Sequence, residues 1–111
     1  MIYLASPYTH KDKDVVHARV LETQRAAVKL WVGYEKIIFS PIMHWHHAAI
    51  DNDLPTDAES WHAYNSAMMR RCDALYILPL DGWEQSKGMK AEIELAEQLN
   101  LPIVTLNPNT L

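Results

Sequence analysis

Hydrophobic and polar positions change period several times along the chain, and each change marks an element. "IYLAS" (2–6) is a short uncharged run that predicts a buried strand, and "PYTHKD" after it predicts a Pro-containing loop. From Asp14 to about Tyr34, the residues Val16, Val20, Thr23, Ala27, Leu30 and Tyr34 recur at steps of three and four. That spacing is one face of a helix, and Gly33 is its expected stop. "IIFSPI" (37–42) predicts a second strand closed by Pro41, and "MHWHHAAIDNDLP" (43–55) an irregular connection with room for one short helical turn. Thr56 and Glu59 have capping-box spacing, so a helix is expected over 56–72. "ALYILPL" (74–80) is a strand, a further helix follows Ser86, and "PIVTL" (102–106) is the last strand.

Strands alternating with helices predict an α/β fold. The expectation is a single domain over 1–111, a small three-layer flavodoxin- or Rossmann-like unit with a four- or five-stranded, mainly parallel sheet. Ligands bind such sheets at the carboxyl ends of the strands, which directs attention to the loops 6–13, 41–56 and 80–88.

The helix after Ser86 holds one anomaly. On a wheel of 100° per residue, Met89, Ile93, Leu95, Ala96 and Leu99 share an arc, and Glu92 falls inside it. Glu94, Glu97, Lys90 and Gln98 take the other side and read as a solvated face. A carboxylate on the apolar arc has to be paired, hydrogen-bonded or protonated, or it has to reach solvent past a small neighbour.

Composition narrows the function. Hydrophobic residues make up 49% and charged residues 22%, so the chain has the makings of an ordinary core. A net charge of −4 leaves no Lys/Arg cluster to meet DNA or RNA, although a single nucleotide needs only a few donors. The lone Cys72 has no internal disulfide partner, which suits a reducing cytoplasm. "MIYLAS" lacks the basic flank of a signal peptide, and no apolar run reaches the roughly 20 residues of a membrane span. Neither a dinucleotide-binding glycine fingerprint nor a P-loop is present, and no cofactor is expected. His44, His46 and His47, with Asp51 nearby, lack the ligand spacing of a zinc site, and "DND" (51–53) reads as a turn, so no metal is expected. Trp31, Trp61, Met68 and Met69 lie on two helices of a small domain, which suggests a homodimer or larger assembly with helices at the interface.

Three segments in order, "IYLASPY", "CDALYILPLDGW" and "SKGMKAEIELA", resemble the nucleoside 2-deoxyribosyltransferase superfamily, which includes nucleotide N-glycoside hydrolases. The resemblance covers nearly the whole chain. Its helix pattern Gly-x-x-x-Glu-[Leu/Ile]-x-x-Ala, which carries the family's nucleophilic glutamate, is matched by Gly88, Glu92, Ile93 and Ala96. The resemblance also implies a tyrosine beside that glutamate (Tyr3), a phosphate-binding serine (Ser86) and an aspartate ahead of the middle strand (Asp73). The chain departs from the family at Asn65, where a sugar-binding aspartate is common, and in ending soon after its last strand at "NPNTL". The short C-terminus favours hydrolysis over transfer.

Cleaving an N-glycosidic bond passes through an oxocarbenium-like sugar, which a carboxylate beneath C1′ stabilises or traps. Glu92 suits that task, with Tyr3 holding it ionised. Asp81, His44 and His10 are candidate acids for the leaving base. Trp83 is a candidate stacking partner for the base, and Ser6, Tyr8 and His10 are candidates for the ribose or phosphate. With Ser86, Gly88, Asn65 and Asp73, these residues form the expected site for a nucleoside or nucleotide. The rival reading is a non-catalytic nucleotide-binding or sensing module of the same fold. A purely structural oligomer subunit is the third.

Overall fold

A central strand of a parallel sheet needs apolar side chains on both faces. In the computed structural model, which describes residues 1–111, β1 (Ile2–Ala5) meets that need and is buried along its whole length. Period two sends Tyr3 and Ala5 to one face and Leu4 to the other. Leu4 packs with Ala26, Ala27 and Leu30 of α1 (Lys13–Tyr34). Tyr3 belongs to a cluster with Met69 of α3 (Ala58–Met69) and with Met89 and Ala96 of α4 (Lys87–Gln98).

The other strands are β2 (Ile38–Phe39), β3 (Ala74–Ile77) and β4 (Ile103–Thr105), and the remaining helix is α2 (Pro41–Asp51). All four strands are parallel, in the order β2-β1-β3-β4. This is a small three-layer α/β domain of Rossmann-like type, with α1 on one face and α3 and α4 on the other. The direction of winding reverses beside β1, between β1 and β3, the place where such sheets open a crevice for ligands.

The structure corrects several element boundaries. The run 37–42 is not one strand, because only Ile38 and Phe39 pair with β1. Ser40 then caps α2, its Oγ accepting the Met43 N–H at 3.2 Å. Pro41 opens the helix, where a missing N–H leaves no bond unmade. The stretch 43–55 is therefore helical to Asp51 rather than irregular, and Ile42, His46 and Ala49 form its buried side. Asp57 rather than Thr56 caps α3, accepting the Ser60 N–H at 3.1 Å. β3 ends at Ile77, two residues before Pro79, which has no N–H for the ladder.

Gly33 does not stop α1. Glu35 does, in the left-handed region at φ 55°, with its N–H bonded to Trp31 and the Lys36 N–H to Leu30, both at 3.0 Å. The buried face of α1 is Val20, Thr23, Ala26, Ala27 and Leu30, with Val16 half-buried and Tyr34 exposed. Of the four residues expected at a subunit contact, Met69 is core, and Met68 and Trp61 are half-buried. Only Trp31 stands in solvent, 62% exposed, beside Val28 and Val32. No helix is long and apolar enough to cross a membrane. Cys72 is buried, and burial pushes its thiol pKa up.

Candidate functional site at the carboxyl edge

A cavity of about 810 Å³ opens where the winding reverses. Tyr3 and Ser6 reach it from β1 and its end, Trp45 and His46 from α2, Asn65 from α3 and Glu92 from α4. The size suits a ligand of nucleotide dimensions.

Glu92 is the chemical centre. It sits nearly two turns inside α4, partly open to the cavity, and accepts a hydrogen bond from the Tyr3 hydroxyl. Tyr3 can reach it because odd positions of β1 face α4. Burial pushes the Glu92 carboxyl up to about 7, and the Tyr3 bond pulls against that rise. The hydrogen bond thus offsets desolvation only in part. Tyr3 is itself fully buried, so burial first and the neighbouring carboxylate second hold its phenol protonated. Glu94, Glu97, Lys90 and Gln98 are all exposed on the far side of the same helix.

A second polar pair sits on another wall. Tyr8 Oη and His46 Nδ1 lie 2.7 Å apart, with the rings edge-on. Burial raises the Tyr8 pKa, and burial followed by His47 and His17 lowers that of His46. Both shifts favour the neutral forms, and the imidazole tautomer sets which of the two donates. The loop carrying Tyr8 is held by Arg19 of α1, whose guanidinium donates to the carbonyls of Thr9 at 3.0 Å and Asp81 at 2.9 Å. One cation thereby ties the loops after β1 and β3 together. Gly82, at φ 85°, lies so close that an added Cβ would stand 2.7 Å from Arg19 Nη2. Thr9 Oγ1 also donates to the Thr56 carbonyl at 3.1 Å, which joins the β1 loop to the start of α3 at the cavity.

Two helix N-termini open on the cavity. Ser86 caps α4, its Oγ accepting the Met89 N–H at 3.2 Å, and Asp57 caps α3. Capping bonds from Ser60 hold the Asp57 carboxyl below the usual range. Gly88 is where the two helices meet, since a Cβ there would lie 3.3 Å from that of Ala58.

The sequence-predicted residues divide cleanly. Tyr3, Ser6, Tyr8 and Glu92 line the cavity, as do Asn65, Ser86 and Gly88. Asp81, His10, His44, Trp83 and Asp73 do not. Asp81 is exposed and offers Arg19 its backbone carbonyl. His10 accepts the Asp12 N–H at 3.0 Å, outside the cavity. His44 is on the outer side of α2, stacked on Tyr64. Trp83 packs against the core cluster of Tyr3. Asp73 lies at the amino end of β3, the opposite edge of the sheet, 2.6 Å from the chain's N-terminal ammonium.

Sequence reasoning missed Trp45, His46 and Trp61. The signal for Trp45 and His46 was the spacing of Ile42, His46 and Ala49, obscured by reading 43–55 as a loop, whereas Trp61 reads as a subunit contact. His46 turns inward while His44 and His47 stay exposed, and no three His, Cys, Asp or Glu side chains converge as a metal site.

Fold and site together define a small Rossmann-like α/β domain with a buried Tyr–Glu pair in a carboxyl-edge cavity. The chain belongs to the family described as a domain of unknown function, DUF1937, which matches residues 1–107. No curated protein matches it.

Proposed function

We propose that this domain cleaves the N-glycosidic bond of a nucleoside or nucleoside monophosphate, with Glu92 as the carboxylate beneath C1′. The observation that carries this reading is the Tyr3–Glu92 pair on the cavity wall. The resemblance to nucleoside 2-deoxyribosyltransferases supports it by a separate route. As the C1′–N bond breaks, its electron pair leaves with the base, and an ionised Glu92 oxygen stabilises the sugar cation or bonds to C1′. Water then takes the sugar. Glu59 and His62 of α3 are further titratable side chains on the cavity wall, and neither is positioned by a hydrogen bond as an acid for the leaving base.

One observation favours the rival. Asp81, His10 and His44, the expected acids, all lie outside the cavity. A cavity without a well-placed acid would bind a nucleotide and leave it whole, as a sensing module does. Incubation with a panel of nucleosides and nucleoside monophosphates separates the two. Free base is expected from at least one member. Binding without release favours the sensor, and no binding sinks both.

Phosphate preference is expected from the helix ends. The first N–H groups of α4 carry partial positive charge, and the Ser86 hydroxyl keeps a proton to donate while it caps. A nucleoside monophosphate should bind at least about tenfold tighter than its nucleoside, the scale of a charge-assisted hydrogen bond. Ser86→Ala should shrink that gap and, by loss of the cap, lower stability by about 1 kcal/mol. Equal binding of both ligands to the wild type would leave the serine a cap alone.

Self-association through α1 completes the proposal. Val28, Trp31 and Val32 are exposed there, and Ile37 follows just after the helix. Light scattering is expected to give a dimer or larger at micromolar concentration, and Trp31→Glu to shift it toward monomer. A monomeric wild type would count against it.

A further inference from the structure

Two buried side-chain polar atoms in the molecule lack a hydrogen-bond partner, Trp45 Nε1 and Asn65 Oδ1. One is a donor and the other an acceptor. Both residues line the cavity, from adjacent helices. Buried polar groups are ordinarily satisfied, and an orphan calls for a physical reason. Solvent does not supply one, because both atoms are shut off from it.

Their surroundings describe what fits. The Trp45 ring lies 5.1 Å from that of Trp61, tilted by 43°, and Tyr64 meets both edge-on. Trp61 has its own nitrogen satisfied by the Pro55 carbonyl at 2.6 Å, so of the two indoles only Trp45 has a proton to give. Both tryptophans line the cavity, which makes this wall an aromatic platform with an unpaired donor and acceptor. Platforms of this kind favour flat π-faces, and unpaired polar groups favour a ring edge that carries an acceptor beside a donor.

We propose that the wall formed by Trp45, Trp61 and Asn65 binds the heteroaromatic base, the half-buried Trp45 and Asn65 side chains turning toward the cavity as the base enters so that its edge engages Trp45 Nε1–H and the Asn65 amide. The assignment rests on the nucleotide reading above and places base recognition on α2 and α3 rather than at Trp83. The sugar and any phosphate then lie toward Glu92 and the start of α4.

Equilibrium binding to the full chain tests this, with free adenine, guanine, cytosine and uracil as base probes and 2-deoxyribose 5-phosphate as the sugar probe. Trp45→Phe keeps a ring and removes the N–H. Asn65→Leu keeps the volume and removes the amide. At least one base should bind the wild type, and each variant should weaken it by at least about tenfold, the scale of a lost buried hydrogen bond. Sugar-phosphate affinity of Trp45→Phe should stay within about twofold, because the indole N–H lies on the base side. Ligand-free Asn65→Leu should melt no lower than the wild type, since it keeps the volume and removes an unsatisfied group. The proposal is overturned if no base binds, if both variants bind bases as the wild type does, or if base and sugar-phosphate affinities fall together in Trp45→Phe. It is also overturned if Trp45→Phe lowers only the melting point. Base release from the nucleotide panel is read separately. Base binding that depends on Trp45, without any release, sinks cleavage and keeps the wall. Release with unaltered base affinity in Trp45→Phe sinks the wall and keeps cleavage.

Discussion

Glu92→Gln is expected to abolish base release by several orders of magnitude and to leave the fold intact. Glutamine has nearly the same shape, and its carbonyl oxygen still accepts the Tyr3 hydroxyl that now bonds Glu92. What it lacks is the negative charge that an oxocarbenium-like sugar requires. Glu94→Gln, on the exposed side of the same helix, should change the rate little. Steady-state assays on the nucleotide that the panel identifies decide the matter, and equal rates for wild type and Glu92→Gln would end the mechanism.

The same substitution carries a stability signature. The Glu92 carboxyl is raised to about 7 in the folded chain from an ordinary 4.5, with burial as the larger cause. The folded state therefore binds this proton more tightly than the unfolded state does. Stability is unaffected by this group below about pH 4.5 and declines as pH rises toward 7, beyond which the penalty is complete. The penalty is about 1–3 kcal/mol, after allowance for the side chain's partial opening to the cavity. Glutamine escapes it. Between pH 5 and pH 8 the wild-type melting point should fall relative to that of Glu92→Gln, and parallel pH profiles would show that Glu92 is not desolvated. For catalysis the same shift predicts that kcat/KM rises with pH through about 7, as the free enzyme ionises this carboxyl.

How much of this was legible in the sequence depended on whether a position spoke through periodicity or through tertiary contact. The turn of Glu92 into the apolar arc of α4 was legible, because Met89 and Ala96 fix the buried side and both are buried. Tyr3 came from the resemblance alone, since a strand that is apolar throughout does not say which of its faces meets α4. The strand order was not legible, since it depends on which helix crosses which face. α2 was lost because Pro41 reads as a terminator until Ser40 is seen to cap it, and because "HWHH" looks like a polar loop. With α2 went Trp45 and His46, and Trp83, which lies outside the cavity, stood as the candidate aromatic. Asp81 illustrates the opposite error. Position at a strand end put it near the cavity in sequence, but its neighbour Gly82 takes a left-handed conformation, and Asp81 itself lies exposed with its carbonyl on Arg19.

Tyr3→Phe separates a positioning role from simple packing. Tyr3 is fully buried and its ring lies 5.6 Å from Phe39, so phenylalanine should keep the hydrophobic contacts of the site. The hydroxyl is another matter, because it is the hydrogen bond that pulls the Glu92 pKa back down against burial. Without it the carboxyl should ionise above 7, and a smaller fraction of the enzyme would hold the charged form at neutral pH. Base release at pH 7 should fall about ten- to a hundredfold, the range of one lost charge-assisted hydrogen bond of about 1.5–3 kcal/mol. Part of that loss should return by pH 9, where even the raised carboxyl is ionised. The rising limb of kcat/KM would thus move to higher pH, a change that loss of packing alone does not produce. A limb that stays in place while the rate drops uniformly would mean that Tyr3 orients Glu92 or the sugar without setting its charge. A rate that does not drop at all would remove Tyr3 from the site.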